Sequence, residues 1–129
     1  MPVTPSVMSL HLRYRLWIAE MNLDINVLRI FDDHLTELRS KRKESVMKLK
    51  GESFDQEFKK LRTEIDELRH EMHIGKMKLG AYARDGKPLD YKIFNKENHA
   101  PLKKKLAEYK EHFKKINQAF SIFEASVFS

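Results

Sequence analysis

The chain has 129 residues, 41% hydrophobic and 34% charged, with 25 Lys and Arg against 19 Asp and Glu and a formal net charge of +6. That length and balance predict one folded domain with a core and exclude a disordered or low-complexity chain. There is no cysteine, which excludes disulfides, thiol catalysis and Cys-based metal sites and fits a reducing, cytoplasmic setting.

The start, MPVTPSVMSL, lacks a basic segment followed by an apolar run, so no secretory signal is expected. The most apolar stretch, Leu10–Phe31, contains Glu20, Asp24 and Arg29, so no membrane span is expected either. The basic excess sits in residues 1–50 and 98–129, while 51–97 is balanced. Such a spread favours solubility and only a weak attraction to polyanions.

Helix 1 is predicted over about 9–50, with Thr4-Pro5 or Ser9 at its start and Gly51 as its C-terminal stop. Within it Leu10, Tyr14, Trp17, Met21, Asp24, Leu28, Phe31, Leu35, Leu38, Arg42, Ser45 and Leu49 alternate by four and three, a heptad seam. Helix 2 is predicted over about 53–84, opened by the capping box Ser53-x-x-Gln56. Its seam is Phe54, Phe58, Leu61, Ile65, Leu68, Met72, Gly75, Leu79 and Tyr82. Asp85-Gly86-Lys87-Pro88 stops it, and a long, partly ordered connection follows over 85–97. Helix 3, about 98–127, is capped by Asn95 or Asn98 and carries the seam Leu102, Leu106, Tyr109, Phe113, Ile116, Phe120, Phe123 and Val127.

A short turn at 50–53 makes helices 1 and 2 antiparallel neighbours, so the expected fold is all-α, an elongated antiparallel three-helix bundle with coiled-coil-type packing. The expected register sets Leu49 against Phe54, Leu38 against Ile65 and Leu28 against Gly75. Helices 2 and 3 then match with Phe58 against Phe123 and Leu61 against Phe120. The N-terminal end of helix 1 overhangs in this register, with Leu89, Tyr91, Ile93 and Phe94 folding over Tyr14, Leu16 and Trp17. Asp24, polar in an apolar seam, is expected near the bundle end, hydrated or met by a lysine.

Few residues suggest chemistry. Glu67 and His70 have an E-x-x-H spacing, but there is no second copy and both flank the Leu68 seam, so a solvated face is expected. His70 with His73 and Asp66, and His34 with His112, are ligand sets too small to predict a metal. No phosphate-binding glycine loop and no nucleophile–base spacing occurs. No cofactor, metal, small-molecule ligand or enzymatic activity is predicted. The basic group Arg39, Lys41, Arg42, Lys43, Lys48 and Lys50 is the alternative, a weak nucleic-acid contact, though acidic residues are interspersed.

Leu10–Phe31 is apolar on more sides than one partner can cover. Leu16, Leu23, Val27 and Ile30 flank its seam on one side and Ile18 and Ile25 on the other. A homodimer or a protein partner on those residues is the expected function, because monomers seldom leave large apolar patches bare.

Leu10-His11, Arg15-Leu16-Trp17, Glu20, Ile30-Phe31, Leu35, Ile65-Asp66-Glu67-Leu68, His70, Phe94, His99 and Leu102 resemble a group of short bacterial all-helical proteins with no assigned function. The resemblance spans most of the chain. It implies an all-helical fold and carries no site residues.

Overall fold

The computed structural model describes residues 6–86 and 88–128, with backbone alone at Phe128. Three long helices account for nearly all of them, and no strand occurs among the described residues. Helix α1 runs Val7–Lys41 and α2 runs Ser45–Asp85. A short helix α3, Tyr91–Phe94, passes through a π-helical turn, Asn95–His99, into α4, Ala100–Phe128. No helix among the described residues is long and apolar enough to cross a membrane.

The Ser6 side chain caps α1, accepting from the Ser9 N–H at 3.0 Å; the Thr4-Pro5 start lies outside the described residues. The chain leaves α1 at Arg42, eight residues before the expected end at 50, and re-enters a helix at Ser45. No glycine or proline marks this break. The cause is local polarity: between Leu38 and Met47 the seam holds only Arg42 and Ser45, and Lys41–Glu44 is four charges in a row. Nothing apolar there rewards continuing the helix. The Arg42 N–H closes α1 on the Leu38 carbonyl at 3.0 Å, and Arg39 and Lys41 suit its C-terminal dipole. Gly51 and the Ser53-x-x-Gln56 box therefore lie inside α2 instead of ending one helix and opening the next.

Moving the turn moves the register. Tyr14 lies against Gly75, Asn22 bonds Arg69, the Phe31 ring meets Phe58 at 6.0 Å and Arg39 lies on Gly51. Gly75 was expected at Leu28, fourteen positions further along α1, so the displacement is two heptads. A heptad seam looks the same after a shift of seven or fourteen, so its spacing alone does not distinguish the two registers. The expected overhang disappears, because α2 continues past Tyr14's level to Asp85. Between α2 and α4 the change is smaller: Phe58 meets Phe120 at 5.2 Å between ring centres, and Phe54 meets Phe123 at 5.0 Å.

The core is a single cluster along all three helices. One end is a phenylalanine cluster of Phe31, Phe54, Phe58, Phe120 and Phe123, their rings tilted or edge-on to one another. The other end is built on Tyr14. In α1 the buried line is Leu10, Tyr14, Ile18, Met21, Ile25, Leu28, Leu35 and Leu38. Ile18 and Ile25 thus take the places expected of Trp17 and Asp24. Asp24 is not at a bundle end: the buried Tyr109 hydroxyl donates to its Oδ2 at 2.8 Å.

Candidate functional site

Two places in the molecule stand out, the outer face of α1 and the π-turn that enters α4. The first follows from how α1 shares its apolar residues. The expected partner-binding set was Leu16, Ile18, Leu23, Ile25, Val27 and Ile30. Ile18 and Ile25 are buried, 7% and 4% exposed, because a helix packed against two others buries a broad arc of its circumference. They are removed from the candidate surface. Val27 is half-buried. Leu16, Leu23 and Ile30 are 57%, 62% and 64% exposed, and Leu12 joins them at 53%. Residues 16, 23 and 30 recur every seven positions, so they form one line on the helix, opposite the buried face. Ala19 and Asn26 complete the line, and Arg13, Arg15, Glu20, Asn22 and Arg29 border it, all exposed.

The second place begins at Asp90. Its side chain accepts from the Ile93 N–H at 3.3 Å and starts α3, so the expected caps Asn95 and Asn98 lie inside helical backbone. The extra residue of the π-turn rotates His99 inward, where it is 3% exposed. Its ring stacks on Trp17 at 5.6 Å and Tyr14 at 5.7 Å, with Tyr91 and Phe94 each at 6.4 Å. Phe94 of the connection does pack on Tyr14, as expected, at 6.2 Å, whereas Trp17 is met by His99, expected in helix 3, and Ile93 and Leu16 stay exposed. Tyr14 Oη lies 3.2 Å from His99 Nδ1, so in the Nε2–H tautomer the hydroxyl donates to the ring. Burial pushes the His99 pKa down, and Lys103 and Arg13 push the same way. Burial likewise pushes the Tyr14 hydroxyl up, helped by Tyr91. Both groups are held neutral and use each other as partners. Among the described residues no buried side-chain polar atom lacks a hydrogen-bond partner. The Tyr14–His99 pair thus behaves as a neutral clasp holding α3 and the π-turn on α1. The sequence signal for it was Asp90 three residues before Ile93, a cap that would have pulled the helix start upstream and rotated His99 into register.

The remaining candidates scatter. His34 lies 3.6 Å from Glu124, and His112 Nδ1 lies 2.9 Å from Glu64, so those two histidines turn to different helices. Glu67 and His70 are exposed. Asp66, of the His70–His73 ligand set, is taken by Arg62 and Arg69, both at 3.0 Å, and Asp55 pairs with Lys59 at 2.8 Å. No group of three metal-ligating side chains occurs among the described residues. Of the basic set, Lys41 pairs with Glu37 at 3.1 Å, Arg42 bonds the Val127 carbonyl at 3.0 Å, and Arg39 lies over Gly51. Lys43, Lys48 and Lys50 are exposed around the turn.

Comparison with family models, curated proteins and solved structures finds no match.

Proposed function

We propose that this chain is a helical structural or interaction protein that self-associates or binds a partner protein through the outer face of the N-terminal half of α1. The observation that carries the reading is the line Leu12, Leu16, Leu23 and Ile30, four large aliphatic side chains each more than half exposed on one side of a helix whose other side is buried. Leaving them in water forfeits burial worth roughly 25 cal/mol per Å² of apolar surface. Single exposed leucines are ordinary; a heptad line of them is a partner helix's complement. The scaffold behind it is an elongated antiparallel bundle with coiled-coil-type packing. The opposed order of the contacts Tyr14–Gly75, Phe31–Phe58 and Arg39–Gly51 supports that arrangement. The basic turn is the weaker surface, since Arg39, Lys41 and Arg42 are already engaged within the chain.

Leu23→Asp tests the reading. The position is exposed, so the helix content measured by circular dichroism is expected to stay unchanged. Self-association, or capture of a partner from native cell extract, is expected to be lost. Equal association or capture by the wild type and the variant would overturn the proposal.

A further inference from the structure

The line on α1 has an internal logic that names its occupant. In heptad terms Leu16, Leu23 and Ile30 take one core position, and Leu12, Ala19 and Asn26 take the other. Arg15, Asn22 and Arg29 form the edge before the first core position. Arg13, Glu20 and Val27 form the edge after the second. We infer that the occupant is a second copy of this chain, with the two α1 helices side by side, parallel and in register, around the Leu12–Ile30 line. This inference rests on the interaction reading above and deepens it.

Charge decides the direction. In the parallel, in-register pair, Arg15 of each copy faces Glu20 of the other, so two opposite-charge contacts form across the edges. In the opposite direction, the register that keeps the whole line matched sets Arg15 against Arg29 and Glu20 against its own counterpart. Like charges across a coiled-coil edge select against that pairing. Glu20 keeps one oxygen on Lys110 at 2.7 Å and still presents a carboxylate to solvent, with its side chain 52% exposed. Asn26 points the same way. In parallel register it meets its own counterpart, where two side-chain amides can hydrogen-bond each other and satisfy one another inside the seam. In the antiparallel match it would lie against Leu16.

The helices of this pair are already folded, held by the bundle on their inner faces. Association therefore pays none of the ordering cost that makes short isolated coiled coils marginal. The shared line from Leu12 to Ile30 is about 27 Å long, which places the interface at the small, transient end of the size range. A monomer–dimer equilibrium that responds to concentration is expected, rather than an obligate dimer.

Because the chain has no cysteine, one substitution supplies a unique thiol. Asn26→Cys is expected to form a disulfide-linked dimer on mild oxidation, while the antiparallel match would link Asn26→Cys only to Leu16→Cys. By sedimentation equilibrium, Arg15→Glu is expected to weaken the dimer about tenfold by turning two attractive contacts repulsive. The double exchange Arg15→Glu, Glu20→Arg is expected to restore it. A wild-type chain that stays monomeric at its highest soluble concentration overturns the inference, as does exclusive Asn26→Cys to Leu16→Cys linkage. If the wild type is monomeric but Leu23→Asp still abolishes capture of another protein, the second copy is wrong and the partner reading stands. If neither association nor capture depends on Leu23, both fall.

Discussion

Gly75 is buried at the contact of α2 with α1, and its missing side chain is what lets Tyr14 lie flat there. A Cβ at this position would sit 2.6 Å from Tyr14 Cε2 and 3.3 Å from Cδ2, closer than carbon atoms pack. The ring cannot retreat, since it is itself fully buried, stacked on His99 and in tilted contact with Trp17. Gly75→Ala is therefore expected to destabilise the fold by about 1–3 kcal/mol, although alanine gains about 1 kcal/mol of helix propensity. Gly80 has open space at its Cβ, and Gly80→Ala is expected to stabilise by about 0.5–1 kcal/mol in the same denaturant titration. Opposite signs at two glycines of one helix separate packing from propensity. His99 carries a second expectation. Its pKa is lowered first by burial and then by Lys103 and Arg13, so below the usual imidazole value of about 6.5 the unfolded chain takes up a proton that the folded chain resists. Stability is then expected to fall as pH drops through that value and to level off once the folded ring also protonates. His73 shifts in the same direction through burial, Lys76, Arg69 and His70, so the measurement is the difference in urea midpoint between wild type and His99→Gln. A pH dependence identical in both would show that His99 is not linked to folding.

The turn between α1 and α2 shows how far a heptad pattern reaches. Spacing alone identifies the helices and the seam faces of α2 and α4: Phe58, Leu61, Ile65, Leu68, Met72 and Leu79 are buried, and so are Leu102, Leu106, Tyr109, Ile116, Phe120, Phe123 and Val127. It fails at register, because a repeat of seven is satisfied equally after a shift of two heptads, and only the position of the turn chooses between the alternatives. Gly51 offered a familiar stop signal, whereas the polar run Lys41–Glu44 offered a weaker one that the structure uses. The candidate surface followed the same course. Leu16, Leu23 and Ile30 were recognised because seven-residue spacing survives any register. Ile18 and Ile25 were assigned to the wrong face because the seam was read as one partner wide, while α1 meets both α2 and α4. Gly51→Ala tests the turn by its sign. If Gly51 ended a helix in a left-handed conformation, alanine would destabilise it. Inside α2, the atoms nearest to an added Cβ are Cδ, Cγ and Nε of Arg39, at 2.9–3.1 Å, and that flexible side chain can move aside. Gly51→Ala is therefore expected to stabilise the protein by about 0.5–1 kcal/mol, read as a higher urea midpoint with an unchanged slope.

In the elongated bundle proposed above, the three long helices make a rod with differently built ends. The Phe31–Phe54–Phe58–Phe120–Phe123 cluster is hydrocarbon throughout, while the Tyr14–Trp17–His99 end is held by neutral polar groups within aromatic contacts. Between them Tyr109 donates to Asp24, whose carboxyl pKa is raised by burial against the opposing pull of Tyr109 and Lys110. A rod offers its length for association and its ends for little, which is where the Leu12–Ile30 line gains meaning. Helix α2, with 41 residues, is about 62 Å long. A rod of that length and bundle thickness has a radius of gyration of about 19 Å, against about 14 Å for a compact domain of this many residues. Small-angle X-ray scattering at low concentration is expected to return the larger value. Raising the concentration then distinguishes modes of association. Pairing along α1 sets two rods side by side, which lifts the radius of gyration only to about 22 Å and leaves the maximum dimension near the length of one helix. Pairing through the basic turn sets them end to end and carries the radius above about 30 Å. The side-by-side result is the one expected, and a maximum dimension that doubles with concentration would move the interface from the face of α1 to the turn.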